Sequence, residues 1–107
     1  MSLLTKKSPP PLTAEEEARL VVLLEEEHRF PGEFTFKAIC QSPLAASRVA
    51  GCVSADTGLQ VIGTPTQRDS SGGTYSAVTF MLLTHSAHDV LRVYACLRTV
   101  EGVMSFF

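Results

Sequence analysis

Thr74-Tyr75-Ser76-Ala77-Val78-Thr79-Phe80-Met81-Leu82-Leu83-Thr84 is the stretch on which the fold turns. Ser76, Val78, Phe80 and Leu82 occupy alternate positions, and Tyr75, Ala77, Thr79, Met81 and Leu83 fill those between. A period of two in residues that favour extended backbone predicts a strand with two distinct faces. Both faces are apolar, more than a strand with one face in water requires. Helices are expected on the Val78/Phe80/Leu82 side, so the Tyr75/Met81/Leu83 side needs cover of another kind.

Upstream, Asp69-Ser70-Ser71-Gly72-Gly73 is a turn, which makes residues 59–67 the hairpin partner. Gly63 and Pro65 interrupt that partner, and proline cannot donate to a ladder, so it is expected at a sheet edge. Residues 33–41 alternate in the same way, with Phe34, Phe36, Ala38 and Cys40 on one face and Thr35, Lys37 and Ile39 on the other. Ser42-Pro43 then predicts a helix start, with serine as cap and proline in the first position. Ala46, Val49, Ala50 and Val53 carry this helix to a stop at Asp56-Thr57-Gly58. Gly51 within it suggests a close approach to the sheet. Ser86, with Asp89 three residues on, predicts a second helix whose buried stripe is Val90, Leu91, Tyr94, Ala95 and Leu97. Gly102 breaks it, and residues 103–107 form a last short strand.

Ahead of all this, Thr13 and Glu16 form a capping box for a helix over residues 14–28, ended by Pro31. Its apolar centre, Leu20-Val21-Val22-Leu23-Leu24, wraps around the helix and requires burial on more than one side. Pro9-Pro10-Pro11 makes residues 1–12 a flexible arm. The order after the first helix is β-α-β-β-α-β. This is an α+β, ferredoxin-like plan: a four-stranded antiparallel sheet with two helices on one face, occupying residues 30–107 after an N-terminal helix at 13–29. Right-handed crossovers place the first and third strands centrally.

The 107 residues suffice for one domain, and a composition 45% apolar and 19% charged is that of a globule. A net charge of −2 offers no field to gather nucleic acid, and the longest apolar run is far short of the ~20 residues of a membrane span. No nucleic-acid or membrane partner is expected. Lys6 and Lys7 follow the short apolar start rather than precede it, which is not the order of a secretory signal. Cys40, Cys52 and Cys96 are odd in number and widely spaced, so the chain is expected in the reducing cytoplasm with all three as buried apolar residues and no metal site.

Phe30-Pro31, Phe34-Thr35-Phe36-Lys37 and Ser70-Ser71-Gly72-Gly73-Thr74-Tyr75-Ser76-Ala77-Val78 resemble the signature of the YbeD-like family, small bacterial proteins of unknown function. Tyr94 and Leu97 fit the same pattern. The resemblance implies a ferredoxin-like fold similar to the ACT regulatory domains, which bind amino acids in metabolic enzymes, and hence a regulatory or interaction module. It implies no catalytic residue. The family often carries lysine where Gly72 stands and glycine where Cys40 stands, which weakens the turn as an anion site and narrows any cleft beside the first core helix.

Candidate sites follow. Gln41 and Ser42 stand at a helix N-terminus, where free amides favour a carboxylate or phosphate, such as an amino-acid effector. The plainer reading is that Ser42 caps its own helix. Leu20, Leu23 and Leu24 of the first helix, Tyr75, Met81 and Leu83 of the third strand, and Phe106 and Phe107 at the last edge are candidate interface residues. The N-terminal helix either lids its own sheet or leaves that face to a second subunit; both stand open. His85 and His88 lack a third ligand, and Gly72-Gly73 lies between strands rather than before a helix, so neither predicts a metal or phosphate site. Acyl-phosphate hydrolysis on this fold needs an arginine in the first loop, whereas Arg48 falls within the helix. The expectation is a non-enzymatic, ACT-like regulatory or interaction module without cofactor, binding an amino acid or similar small anion at an oligomer interface and partnered by a second copy or another protein. An adaptor that binds no ligand is the alternative.

Overall fold

The computed structural model describes residues 12–41 and 45–106. The arm expected over residues 1–12 (Leu12 apart), residues 42–44 with the expected helix start at Ser42-Pro43, and Phe107 lie outside the described residues. The elements are α1 (Ala14–Glu27), β1 (Gly32–Gln41), α2 (Ala46–Thr57), β2 (Val61–Asp69), β3 (Tyr75–Thr84), α3 (Ala87–Thr99) and β4 (Val103–Phe106). One antiparallel sheet orders them β2-β3-β1-β4, with the two most regular apolar strands at the centre. This is the expected ferredoxin-like arrangement.

β1 and β3 pair without a slip, from Gly32 opposite Thr84 to Gln41 opposite Tyr75. That register puts Phe36, Ala38 and Cys40 beside Phe80, Val78 and Ser76, and all six are almost wholly buried. Val49, Ala50 and Val53 of α2, with Val90, Val93 and Leu97 of α3, close over them. Burial of each large side chain contributes on the order of 1.5–3 kcal/mol, so this one face holds the fold together. β2 is the interrupted edge that Gly63 and Pro65 predict: its register to β3 shifts between Ile62 and Thr66, and Gly63 takes a left-handed conformation with φ 70°.

Local signals explain most of the boundaries. The Thr13 hydroxyl accepts from the Glu16 amide at 3.1 Å and the Glu16 carboxylate accepts from the Thr13 amide at 2.9 Å, a complete capping box. Gly58, at φ 77°, ends α2 as the left-handed cap that glycine adopts without penalty. In the β2–β3 turn the Gly73 amide donates to the Ser70 carbonyl and the Tyr75 amide to the Ser70 hydroxyl.

Several expectations are corrected. α2 begins at Ala46 with extended Ala45 as its cap, not at Ser42-Pro43. Asp89 completes no box with Ser86; its carboxylate takes the His85 amide at 2.8 Å and the Arg92 guanidinium at 2.8 Å. Val93 and Cys96 belong to the buried stripe of α3, whereas Ala95 is exposed and Leu91 and Tyr94 are half-buried. Cys52 is exposed, unlike Cys40 and Cys96. α1 packs against α3 on the helix side of the sheet, with Leu24 in the core and the His28 ring 4.7 Å from Phe34. It does not lie over the open face. Only one flank of its apolar centre is covered, because Val22 and Leu23 remain 53% and 54% exposed.

Gly51 faces solvent, and nothing lies within 4 Å of where its Cβ would stand, so no close approach requires it. Gly51→Ala should therefore raise unfolding free energy by roughly 0.5–1 kcal/mol through helix propensity alone. Urea denaturation measures this, and a loss of stability would contradict the solvent-facing placement.

Candidate functional site: the open face of the sheet

Because strand side chains alternate, fixing Phe36 and Phe80 under the helices sends Lys37 and Thr79 to the other side. In register, the open face reads as successive cross-strand rows. Glu33 stands beside Leu83; Thr35 beside Met81 and Ile62; Lys37 beside Thr79 and Thr66; Ile39 beside Ala77 and Arg68; and Gln41 beside Tyr75. Ala77, Thr79, Met81 and Leu83 are half-buried by neighbours alone, and Tyr75 is 42% exposed. The result is a narrow apolar spine, widened by Ile39 and Ile62, with two cations beside it. Lys37 and Arg68 line a shallow depression of about 480 Å³ with Thr66, Thr79 and Ala77. Glu33, at the far end, is the one acidic side chain on this face among the described residues.

The β1–α2 corner is built differently from the anion site that its sequence suggests. The Ala46 amide donates to the Gln67 side-chain oxygen at 2.9 Å, so an edge-strand glutamine from β2 supplies the acceptor that a cap residue would provide. The Arg48 and Val49 amides both bond the Ala45 carbonyl. Gln67 is held in turn: its amide donates to Asp69 at 3.1 Å and to the Ser76 hydroxyl at 3.4 Å, while Ser76 donates to Asp69 at 2.8 Å. Ser76 and Gln67 hold the Asp69 carboxyl below its ordinary value. Gln41 is exposed at the strand end, its amide bonded to the Gly102 carbonyl, and Ser42 lies outside the described residues.

The buried polar groups are committed to the fold. Thr57 donates to the Val53 carbonyl and Thr84 to the Gly32 carbonyl. Arg92, paired with Asp89, also donates to the Thr57 carbonyl at the negative end of α2, tying the two helices. A groove of about 660 Å³ between α2 and α3 is bounded by Arg48, Cys52, Asp56, Cys96 and Glu101. Burial, followed by the hydrogen bond to and the charge of Asp56, pushes the Cys96 thiol up to about 12, which favours the neutral thiol at neutral pH. Among the described residues no group of three or more His, Cys, Asp or Glu is placed to hold a metal ion.

Of the residues singled out from sequence, Tyr75, Met81 and Leu83 come together on the open face, with Gln41 at its end. Leu24 is spent in the chain's own core, Leu20 is half-buried against it, and Leu23 is exposed on α1 across the sheet. Phe106 stacks on Tyr94 on the helix side, ring centroids 5.3 Å apart, rather than on the open face. Lys37, Ile39, Ile62 and Arg68 were missed as members of the face. The alternation of β1 already placed Lys37 and Ile39 there, whereas the β2 bulge hid the register of Arg68.

A family model described as a protein of unknown function, DUF493, matches residues 25–107, more than three-quarters of the chain. No curated protein and no solved structure matches.

Two outcomes test these polar contacts. Gln67→Ala should cost about 0.5–2 kcal/mol in urea denaturation, the worth of a helix cap, and a neutral result would contradict the cap. Burial by itself raises the Asp89 carboxyl, but the His85 amide and the Arg92 contact outweigh it and the group sits below its ordinary value. Its stabilisation is therefore complete above the unfolded value of about 3.9 and lost as pH falls through the lower folded value. Asp89→Asn should flatten the acid limb of the stability profile, and an unchanged limb would contradict the assignment.

Proposed function

This chain belongs to DUF493, a family of unknown function, and we propose on that premise that it is a small non-catalytic interaction module that docks a protein on the open face of its sheet. The observation that carries this reading is the apolar spine of β3, where Tyr75, Met81 and Leu83 have helices behind them and, among the described residues, no element in front. An apolar row framed by cations suits a protein surface with apolar and acidic side chains. The likeness in plan to ACT domains supports a regulatory role for the docked state. Three free thiols support a cytoplasmic setting, and among the described residues no helix is long and apolar enough to cross a membrane.

Two features favour docking over effector capture or catalysis. Gln67 already satisfies the Ala46 amide at the N-terminus of α2, the end of the helix where an effector carboxylate would bind. The buried Thr57, Ser76, Thr84 and Asp89 side chains all serve hydrogen bonds that hold the fold. A photo-crosslinking residue in place of Thr79 tests the reading in living cells, with the same residue in place of Ala55 on the helix side as control. Protein adducts from position 79 and none from position 55 are expected; the absence of adducts at 79 contradicts docking. A thermal-shift series with free amino acids should show no stabilisation, since a saturating ligand would add about 2.7 kcal/mol at a hundredfold excess over its Kd.

A further inference from the structure

We propose that the occupant of the open face is helix α1 of a second copy of this chain; the inference rests on the docking reading above and names its partner. Just three large apolar side chains are exposed among the described residues: Val22, Leu23 and Tyr75. Two lie on the outer side of α1 and the third on the open face, so the exposed apolar surface is divided between these two patches.

Their charges are complementary. α1 contains six glutamates and one arginine, against eleven acidic residues in the whole chain. Glu15, Val22 and Glu26 share its outer side by helical spacing, opposite the buried Leu24, with Arg19 the single cation among them. The open face presents Lys37 and Arg68 beside the β3 spine. An acidic helix with an apolar centre thus meets an apolar row flanked by cations. Fourteen residues of helix span about 21 Å at 1.5 Å per residue, enough to cross the four strands, whose outer axes lie about 14 Å apart at a spacing of about 4.8 Å.

The partner must be another molecule. α1 is packed on α3, on the far side of the sheet from the open face, and cannot cover both. The contact is therefore head-to-tail: each copy offers a helix to one neighbour and a sheet to the next, which builds rings or open chains rather than an isologous pair. Most of α1 also precedes residue 25, where the family match begins, so the helix that carries this contact lies largely outside the matched region.

Sedimentation equilibrium of the full chain, from micromolar to millimolar concentration at low and high salt, tests the proposal. The mass should rise with concentration from the 11.6 kDa monomer past the dimer, and salt should weaken association because exposed charges are screened. Two charge-reversed proteins complete the test: Lys37→Glu with Arg68→Glu, and Glu15→Lys with Glu26→Lys. Each alone should stay monomeric, and an equal mixture should assemble, since every helix then meets a sheet of opposite sign. Circular dichroism and thermal melting confirm that both variants are folded. A wild-type chain that remains monomeric throughout, assembly unaffected by either reversal, or folded variants that fail to associate when mixed each overturn the proposal. Crosslinks from position 79 to a different protein would in that case preserve the docking reading while removing the second copy as occupant.

Discussion

A four-stranded sheet has two faces, and the two crossover helices of this chain can cover one. Everything else in the structure depends on that inequality. Phe36, Ala38 and Cys40 of β1 and Val78, Phe80 and Leu82 of β3 are removed from water by α2 and α3, and they form the sheet side of the core. The strict alternation that buries them places Tyr75, Ala77, Met81 and Leu83 on the opposite side, because a strand cannot turn one set of side chains inward without turning the other outward. A strand serving only as a structural centre would put polar residues there. β3 puts only Thr79 there, and the positions that give the sheet its stability also define its unsatisfied surface.

The helix that precedes the fold does not resolve the inequality. α1 sits beside α3, where Leu24 enters the core and His28 meets Phe34 in a ring of aromatic contacts that continues through Phe36 to Phe80 and Tyr94. It thus enlarges the covered side and adds an exposed apolar pair of its own in Val22 and Leu23. Two incomplete surfaces of opposite charge on opposite sides of one molecule are the physical basis on which we propose association between copies.

Much of this was legible in the sequence, because the signals concerned are local. The capping box at Thr13 and Glu16, the left-handed stop at Gly58, the Ser70–Gly73 turn and the proline-marked edge strand each involve residues a few positions apart, where spacing determines geometry. The failures are non-local. Ser42-Pro43 has every feature of a helix start, yet α2 begins at Ala46 because the acceptor for its first amide comes from Gln67, twenty-one residues away on another strand. Which flank of α1 is covered depends on the position of α3, and the burial of Val93 and Cys96 depends on how α3 is rotated over the sheet. The open face was half visible: alternation gave its β3 row and the Thr35, Lys37 and Ile39 side of β1, while the bulge at Gly63–Pro65 concealed that Arg68 joins Lys37.

The central claim is that the Tyr75/Met81/Leu83 surface is bare in the single chain and covered on association. Hydroxyl-radical footprinting read at Met81 and Tyr75 across a dilution series addresses it directly. The account predicts strong labelling of both in dilute solution and protection that grows in step with assembly, with Val78 behind the sheet unlabelled throughout. Protection already complete in the most dilute sample, or labelling that persists unchanged as the mass rises, would contradict it.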